Sequence, residues 1–181
     1  MRSFSGATLR RAAVAGAVAA TLLAAGCSNA APGVVAYVGD AEITQTQLET
    51  AVAAVSTTVE QGQTVSSEAV INAMIQGELA EQIAVEKKIT ITDAQRDTFL
   101  KTTNLAPLLN VPDAKPIAYD VADQQIVAQS LGAAPFLAEI EKRQVKLNPR
   151  FGVLDLKQKT ILEGQSGSLS EPGEPAPVQT P

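Results

Sequence analysis

The 181-residue chain predicts a mainly α fold. About five helices follow a short N-terminal β-hairpin, which is free to pair with a C-terminal strand. Three observations lead there. Apolar residues recur at i, i+3, i+4 spacing through most of the body. Two Thr-x-x-Gln sequences stand directly before such stripes, with the spacing of a capping box. Strand-like runs occur only near the two ends of that body.

The elements follow in order. Val34-Val35-Ala36-Tyr37-Val38 is a β-type run, Gly39-Asp40 is a turn signal, and Ala41-Glu42-Ile43 can return as a second strand. Thr44 and Gln47 have capping-box spacing, and Ile43 and Leu48 have that of a hydrophobic staple. The stripe Leu48, Val52, Val55, Val59 makes a first helix, which Gln61-Gly62-Gln63 ends. A second helix starts at Ser66 or Ser67 and shows the cleanest stripe: Ile71, Met74, Ile75, Leu79, Ile83. Glu86-Lys87-Lys88 puts two cations at its C-terminal end, where the helix dipole favours them. Ile89 and Ile91 lead to a third helix, where Thr92 and Gln95 repeat the capping box and Phe99 and Leu100 supply core. Asn104 to Pro116 is a loop with three prolines, read as a lid or a connector. The fourth helix runs from about Pro116 to Leu131, with Ile117, Val121, Ala128 and Leu131 facing inward and Gly132 as its stop. A fifth opens with Pro135, a preferred early helix position, and carries Phe136, Ile140 and Leu147 to Asn148-Pro149. Phe151 to Leu156 reads as the last strand, with Val34–Ile43 as its natural partner.

The ends have a different composition. Arg2, Arg10 and Arg11 form a positive region ahead of 14 uncharged, mostly apolar residues, Ala12 to Ala25. A membrane-spanning helix needs about 20, so residues 1–26 read as a signal peptide. Arg10-Arg11 also allows twin-arginine export, although Ala12-Ala13-Val14 matches that pattern poorly and favours the general secretory route. The sequence Leu22-Leu23-Ala24-Ala25-Gly26-Cys27 resembles a bacterial lipobox. That resemblance implies cleavage between Gly26 and Cys27 and a diacylglycerol on the Cys27 thiol, with Ala24 standing where Leu is commoner. Two or more acyl chains anchor a protein stably where one does not. Residues 27–33 would be the lipidated cysteine and a short tether, and 34–163 one folded domain. Residues 164–181 contain four Pro, three Gly and three Ser and read as a disordered tail. The expected location is the cell membrane, lipid-anchored and facing outside the cytoplasm.

Composition narrows the function. The chain has no His and a single Cys, which leaves no Ser-His-Asp or Cys-His catalysis, no imidazole metal ligand and no internal disulfide. The formal charge is −5, and removal of the three N-terminal arginines would leave 11 basic against 19 acidic residues, or −8. Such a body is a poor partner for nucleic acid, and with 3% aromatic residues it lacks a stacking platform. No catalytic constellation, metal site or cofactor is expected.

Two stretches carry a resemblance. They are Val35-Ala36-Tyr37-Val38-Gly39-Asp40-Ala41-Glu42-Ile43-Thr44, followed by a capped helix, and Glu86-Lys87-Lys88-Ile89-Thr90-Ile91-Thr92-Asp93. Their order and spacing resemble the N-terminal domain of SurA-like chaperones, related to the peptide-binding parts of PrsA and trigger factor. Lys88 stands where that family often has Gly. Lys146-Leu147-Asn148-Pro149-Arg150-Phe151-Gly152 also looks like the closing segment of short actinobacterial lipoproteins of this kind. The resemblance covers most of 34–156. It implies an extracytoplasmic, lipid-anchored chaperone that holds unfolded or secreted polypeptide segments without an energy source. The parvulin prolyl-isomerase domain of longer relatives has no room here, and its histidines are absent, so isomerase activity is not transferred.

Binding of that kind rests on exposed apolar surface and backbone pairing. The expected groove lies between the second helix and the later helices. Met74, Phe99 and Phe136 are candidate peptide contacts, each weighed against an ordinary place in the core. Lys142, Arg143, Lys146 and Arg150 form a basic cluster, readable as a lipid-headgroup or cell-wall contact or as a solvated helix end. The acid pairs Glu78/Glu81 and Asp120/Asp123, at i, i+3, read as solvated faces. The alternative function is a non-catalytic envelope adaptor that docks a folded partner.

Overall fold

The computed structural model describes residues 31–59 and 64–162. The signal peptide, Gly26, Cys27, most of the tether, the Gln61-Gly62-Gln63 stop and the 164–181 tail lie outside the described residues. The described chain is mainly helical, with five helices and one small sheet.

Strands β1 (Val34–Val38) and β2 (Ala41–Thr44) form the expected hairpin. Gly39, at φ 58°, takes the left-handed conformation that the tight turn requires. The C-terminal strand β3 is Val145–Leu147, not Phe151 to Leu156. It pairs antiparallel with β1, in the order β2-β1-β3. Asn148 fixes this pairing: its backbone N–H donates to Val35 O at 2.8 Å and its side-chain amide donates to Val34 O at 3.0 Å. Pro149 then cannot extend the ladder, and Pro149–Phe151 turns as a 3-10 helix.

Helix α1 (Gln45–Ser56) begins with a complete capping box at Thr44 and Gln47. Ile43 and Leu48, the staple pair, are both buried. The buried face of α1 runs through Leu48, Ala51 and Ala54, with Val52 and Val55 at its margin. Helix α2 (Ser67–Lys87) is capped by Ser66, which accepts from Ala69 N, and ends at Lys88 in the left-handed conformation, φ 57°. A glycine would adopt that conformation without cost. Helix α3 (Asp93–Lys101) starts with the second complete capping box, Thr92 and Gln95.

The proline-rich stretch is a packed connector. It forms two 3-10 turns, Ala106–Asn110 and Pro112–Ala114, and buries Leu108 and Ala114. Helix α4 (Lys115–Leu131) follows, and Gly132 ends it at φ 90°. Its buried residues are Ile117, Ala118, Ala122, Asp123 and Val127, and Ala128 and Leu131 pack against the main core, so that of the expected inward set Val121 alone joins neither core cluster. Helix α5 (Ala133–Glu141) stops well before Leu147.

The main core places Ile71, Ile75, Leu79 and Ile83 of α2 against Val35 and Val38 of β1. Residues 154–161 fold back over α2, where Gln76 donates to Gln158 O and Lys159 O and Ile161 is buried. A second cluster joins Ala54, Leu100, Leu108, Ala114, Ala118 and Ala122 beneath α3.

Candidate functional site

Helices α2 and α4 make the most extensive contact in the molecule, and it closes completely at one point. A Cβ added to Gly77 would lie 2.3 Å from Asp120 Cβ and 2.6 Å from its Cα. Only a residue without a side chain allows this approach. The groove expected between α2 and the later helices is therefore filled at this crossing.

An opening remains beside this crossing, between the two helices and the β2–α1 segment. A cleft of about 410 Å3 is bounded by Glu42 and Ile43 of β2 and by Thr46, Gln47, Thr50 and Ala51 of α1. Met74 and Glu78 of α2, Asp113 of the second 3-10 turn, and Pro116, Ile117 and Asp120 of α4 complete it. Its size falls in the range of about 300–1,000 Å3 usual for ligand pockets. Met74, Ile43, Ile117, Pro116 and Ala51 give it an apolar lining, and Glu42, Glu78, Asp113 and Asp120 add four carboxylates. Among the described residues, no Lys or Arg forms an ion pair with any of the four. Glu78 accepts one neutral hydrogen bond, from Gln82 at 2.9 Å.

Asp120 is the unusual member. Burial pushes its carboxyl up to about 7, and the negative charges of Asp123, Glu78 and Glu81 push the same way, against a weaker pull from Arg96. No hydrogen-bond donor among the described residues reaches it. Asp123, one turn along, is paired instead. Arg96 Nε and Nη2 donate to its two oxygens at 2.6 and 2.8 Å. That guanidinium also bonds Asp93 at 2.8 Å and stacks 5.1 Å from the Tyr119 ring centre. Tyr119 in turn donates to Asp97 at 2.8 Å. Of the acid pair expected on a solvated face, Asp123 is buried and Asp120 is half-buried in the cleft wall.

The structure separates the other candidates. Met74 is half-buried and lines the cleft. Phe136 is a core residue, 4% exposed, and meets the cleft nowhere. Phe99 packs at the edge of the second cluster, also away from it. The basic cluster is not one helical face, because α5 ends at Glu141, Lys146 lies in β3 and Arg150 in a 3-10 turn. Lys142 pairs with Glu139 at 3.0 Å and Arg143 with Glu86. A shallower depression beside them, lined by Asp40, Glu81, Gln82, Val85, Lys142 and Arg143, mixes both charge signs. Among the described residues no group of three or more carboxylates is placed to hold a metal ion, and no helix is long and apolar enough to cross a membrane.

Gly77 and Asp120 were the residues that periodicity missed. A glycine inside a strong helical stripe, at a cost of about 1 kcal/mol relative to Ala, was the available signal for a close crossing. No protein-family model, no curated protein and no solved structure matches the chain.

Proposed function

We propose that this chain is a lipid-anchored, extracytoplasmic chaperone-like protein that binds unfolded or secreted polypeptide segments, without prolyl isomerase activity. The observation that supports this most is the open cleft lined by Met74, Ile43 and Ile117 along β2. Strand β2 is one of the two outer strands of the sheet, and the one that borders the cleft. Its free edge offers backbone donors and acceptors to an extended chain, the geometry of strand addition. Met74 supplies a contact that adapts to different side chains, which suits a site of broad specificity. The amphipathic scaffold and the hairpin-to-capped-helix order agree with the SurA-like resemblance of residues 34–156.

Light scattering by a denatured client tests the binding. A holding chaperone lowers it at a near-stoichiometric ratio. Unchanged scattering would favour the adaptor that docks a folded partner. Palmitate labelling tests the anchor separately, since label present in the wild type must vanish in Cys27→Ser.

A further inference from the structure

We infer that the cleft takes an extended segment of another polypeptide through a lysine or arginine side chain, with the segment lying along the edge of β2. This rests on the polypeptide-binding reading above and adds the chemistry of the side chain that is held.

The strand edge comes first. Successive strand residues face opposite sides of a sheet, yet Glu42 and Ile43 both line the cleft. The cavity therefore meets β2 at its rim, where no strand pairs with it. An occupant able to use that rim has amide groups in an extended run.

Charge complementarity selects the side chain. Glu42, Glu78, Asp113 and Asp120 all reach a cavity whose remaining wall is largely apolar, and no described cation is paired with them. They come from β2, α2, a 3-10 turn and α4 and do not converge on a metal-sized point. A long side chain with an aliphatic stem and a cationic head matches both features. The stem lies on Met74 and Ile117, and the head lies among dispersed carboxylates. The raised carboxyl of Asp120 agrees with this, because a half-buried acid without a counter-charge holds its proton more tightly and an arriving cation supplies the missing partner. The chain's own C-terminal residues 163–181 do not suit the role: they contain three Glu and no Lys or Arg.

The test uses the full chain and three labelled nonapeptides. They share apolar flanks and carry Lys, norleucine or Glu at the centre, and fluorescence anisotropy reads their affinity. The Lys peptide should bind at least tenfold more tightly than the norleucine peptide, and the Glu peptide most weakly. Glu78→Gln and Asp113→Asn should each reduce the Lys preference severalfold, while Glu141→Gln, on α5, leaves it unchanged. A norleucine peptide that binds as well as the Lys peptide overturns the cation inference and leaves the polypeptide-binding reading intact. Competition by hexylamine at the same concentration as the Lys peptide overturns the polypeptide occupant. Failure of all three peptides, with client aggregation still suppressed, removes the cleft as the binding site. Failure of both assays removes the chaperone reading as well.

Discussion

Asp120 and Asp123 lie one turn apart on α4, and the molecule treats them in opposite ways. Asp123 faces α3, where the Arg96 guanidinium meets it in a two-point ion pair and binds α3 to α4. Asp120 faces the cleft, with no cation paired to it. The first carboxylate is structural because its counter-charge belongs to the same chain. The second has lost much of its water without gaining a partner, and its carboxyl rises to about 7. Burial alone does not make an acid functional; the difference lies in what stands opposite it.

The strongest way to break this contrast is Arg96→Ala. It strands Asp123 in a buried position, and removing one member of such a pair costs about 3 kcal/mol. Urea denaturation should show that loss, while peptide binding at the cleft persists under native conditions. The double replacement Arg96→Met with Asp123→Leu should recover much of the stability, because an apolar pair needs no charge compensation. A double variant as unstable as the single one would show that the ion pair itself holds α3 in place.

Gly77→Ala strikes the point where the two helices meet. The added Cβ would sit 2.3 Å from that of Asp120, so α2 and α4 must separate. The gain in helix propensity, about 1 kcal/mol, is outweighed by overpacking, and a net loss of about 2 kcal/mol is expected. Thermal denaturation would register it. Because Asp120 moves with α4, this variant should also weaken cleft binding, which Arg96→Ala should not do.

Asp120→Asn sharpens the comparison through pH. The folded carboxyl titrates near 7, above the ordinary aspartate value of about 3.9 that holds in the unfolded chain. Between these values the unfolded chain gives up the proton and the folded protein keeps it. Stability therefore falls as pH rises from about 4 to 7 and levels off above. Asp123 from α4 and Glu78 and Glu81 from α2 reinforce the shift, and Arg96 from α3 opposes it. The asparagine does not titrate. The variant should match the wild type near pH 4 and exceed it at pH 8, by on the order of 2 kcal/mol. Parallel stability curves across that range would show that Asp120 is already well solvated.

Local signals made much of the fold legible. The hairpin, both capping boxes, the Ser66 start of α2 and the Gly132 stop of α4 each depend on a few neighbouring residues. They lie where those residues place them. What failed depended on distant partners. Leu147 fits an apolar helical stripe as well as a strand, and only β1 and the Asn148 amide decide for the strand. Val121 reads as an inward residue of α4, but Ala118 and Ala122 are the ones buried in the second cluster, whereas Leu131 packs against the main core as expected. The cleft lies partly where expected, with α2 and α4 in its wall, but its β2 and α1 walls depend on distant partners: Met74 is identifiable from periodicity, whereas the closure at Gly77 and the fate of the two aspartates are not. No local pattern tells a carboxylate whether an arginine waits opposite.

The two capping boxes give the smallest and most discriminating comparison. Thr44 starts α1 beside the cleft, where Gln47, its reciprocal partner, is a lining residue. Thr92 starts α3, on the Arg96 side. Each threonine satisfies an N-terminal amide of its helix, Gln47 N at 3.2 Å and Gln95 N at 3.3 Å. Thr44→Ala and Thr92→Ala should therefore cost about 1 kcal/mol each. Their effects on binding should differ. Loss of the Thr44 cap frees Gln47 and frays the first turn of α1, which carries Thr46 into the same wall, so peptide affinity should fall severalfold. Loss of the Thr92 cap leaves every residue of the cleft in place, and affinity should hold. Equal losses of affinity in the two variants would mean that binding follows global stability rather than the wall between α1 and β2, and the site would have to be sought elsewhere on the surface.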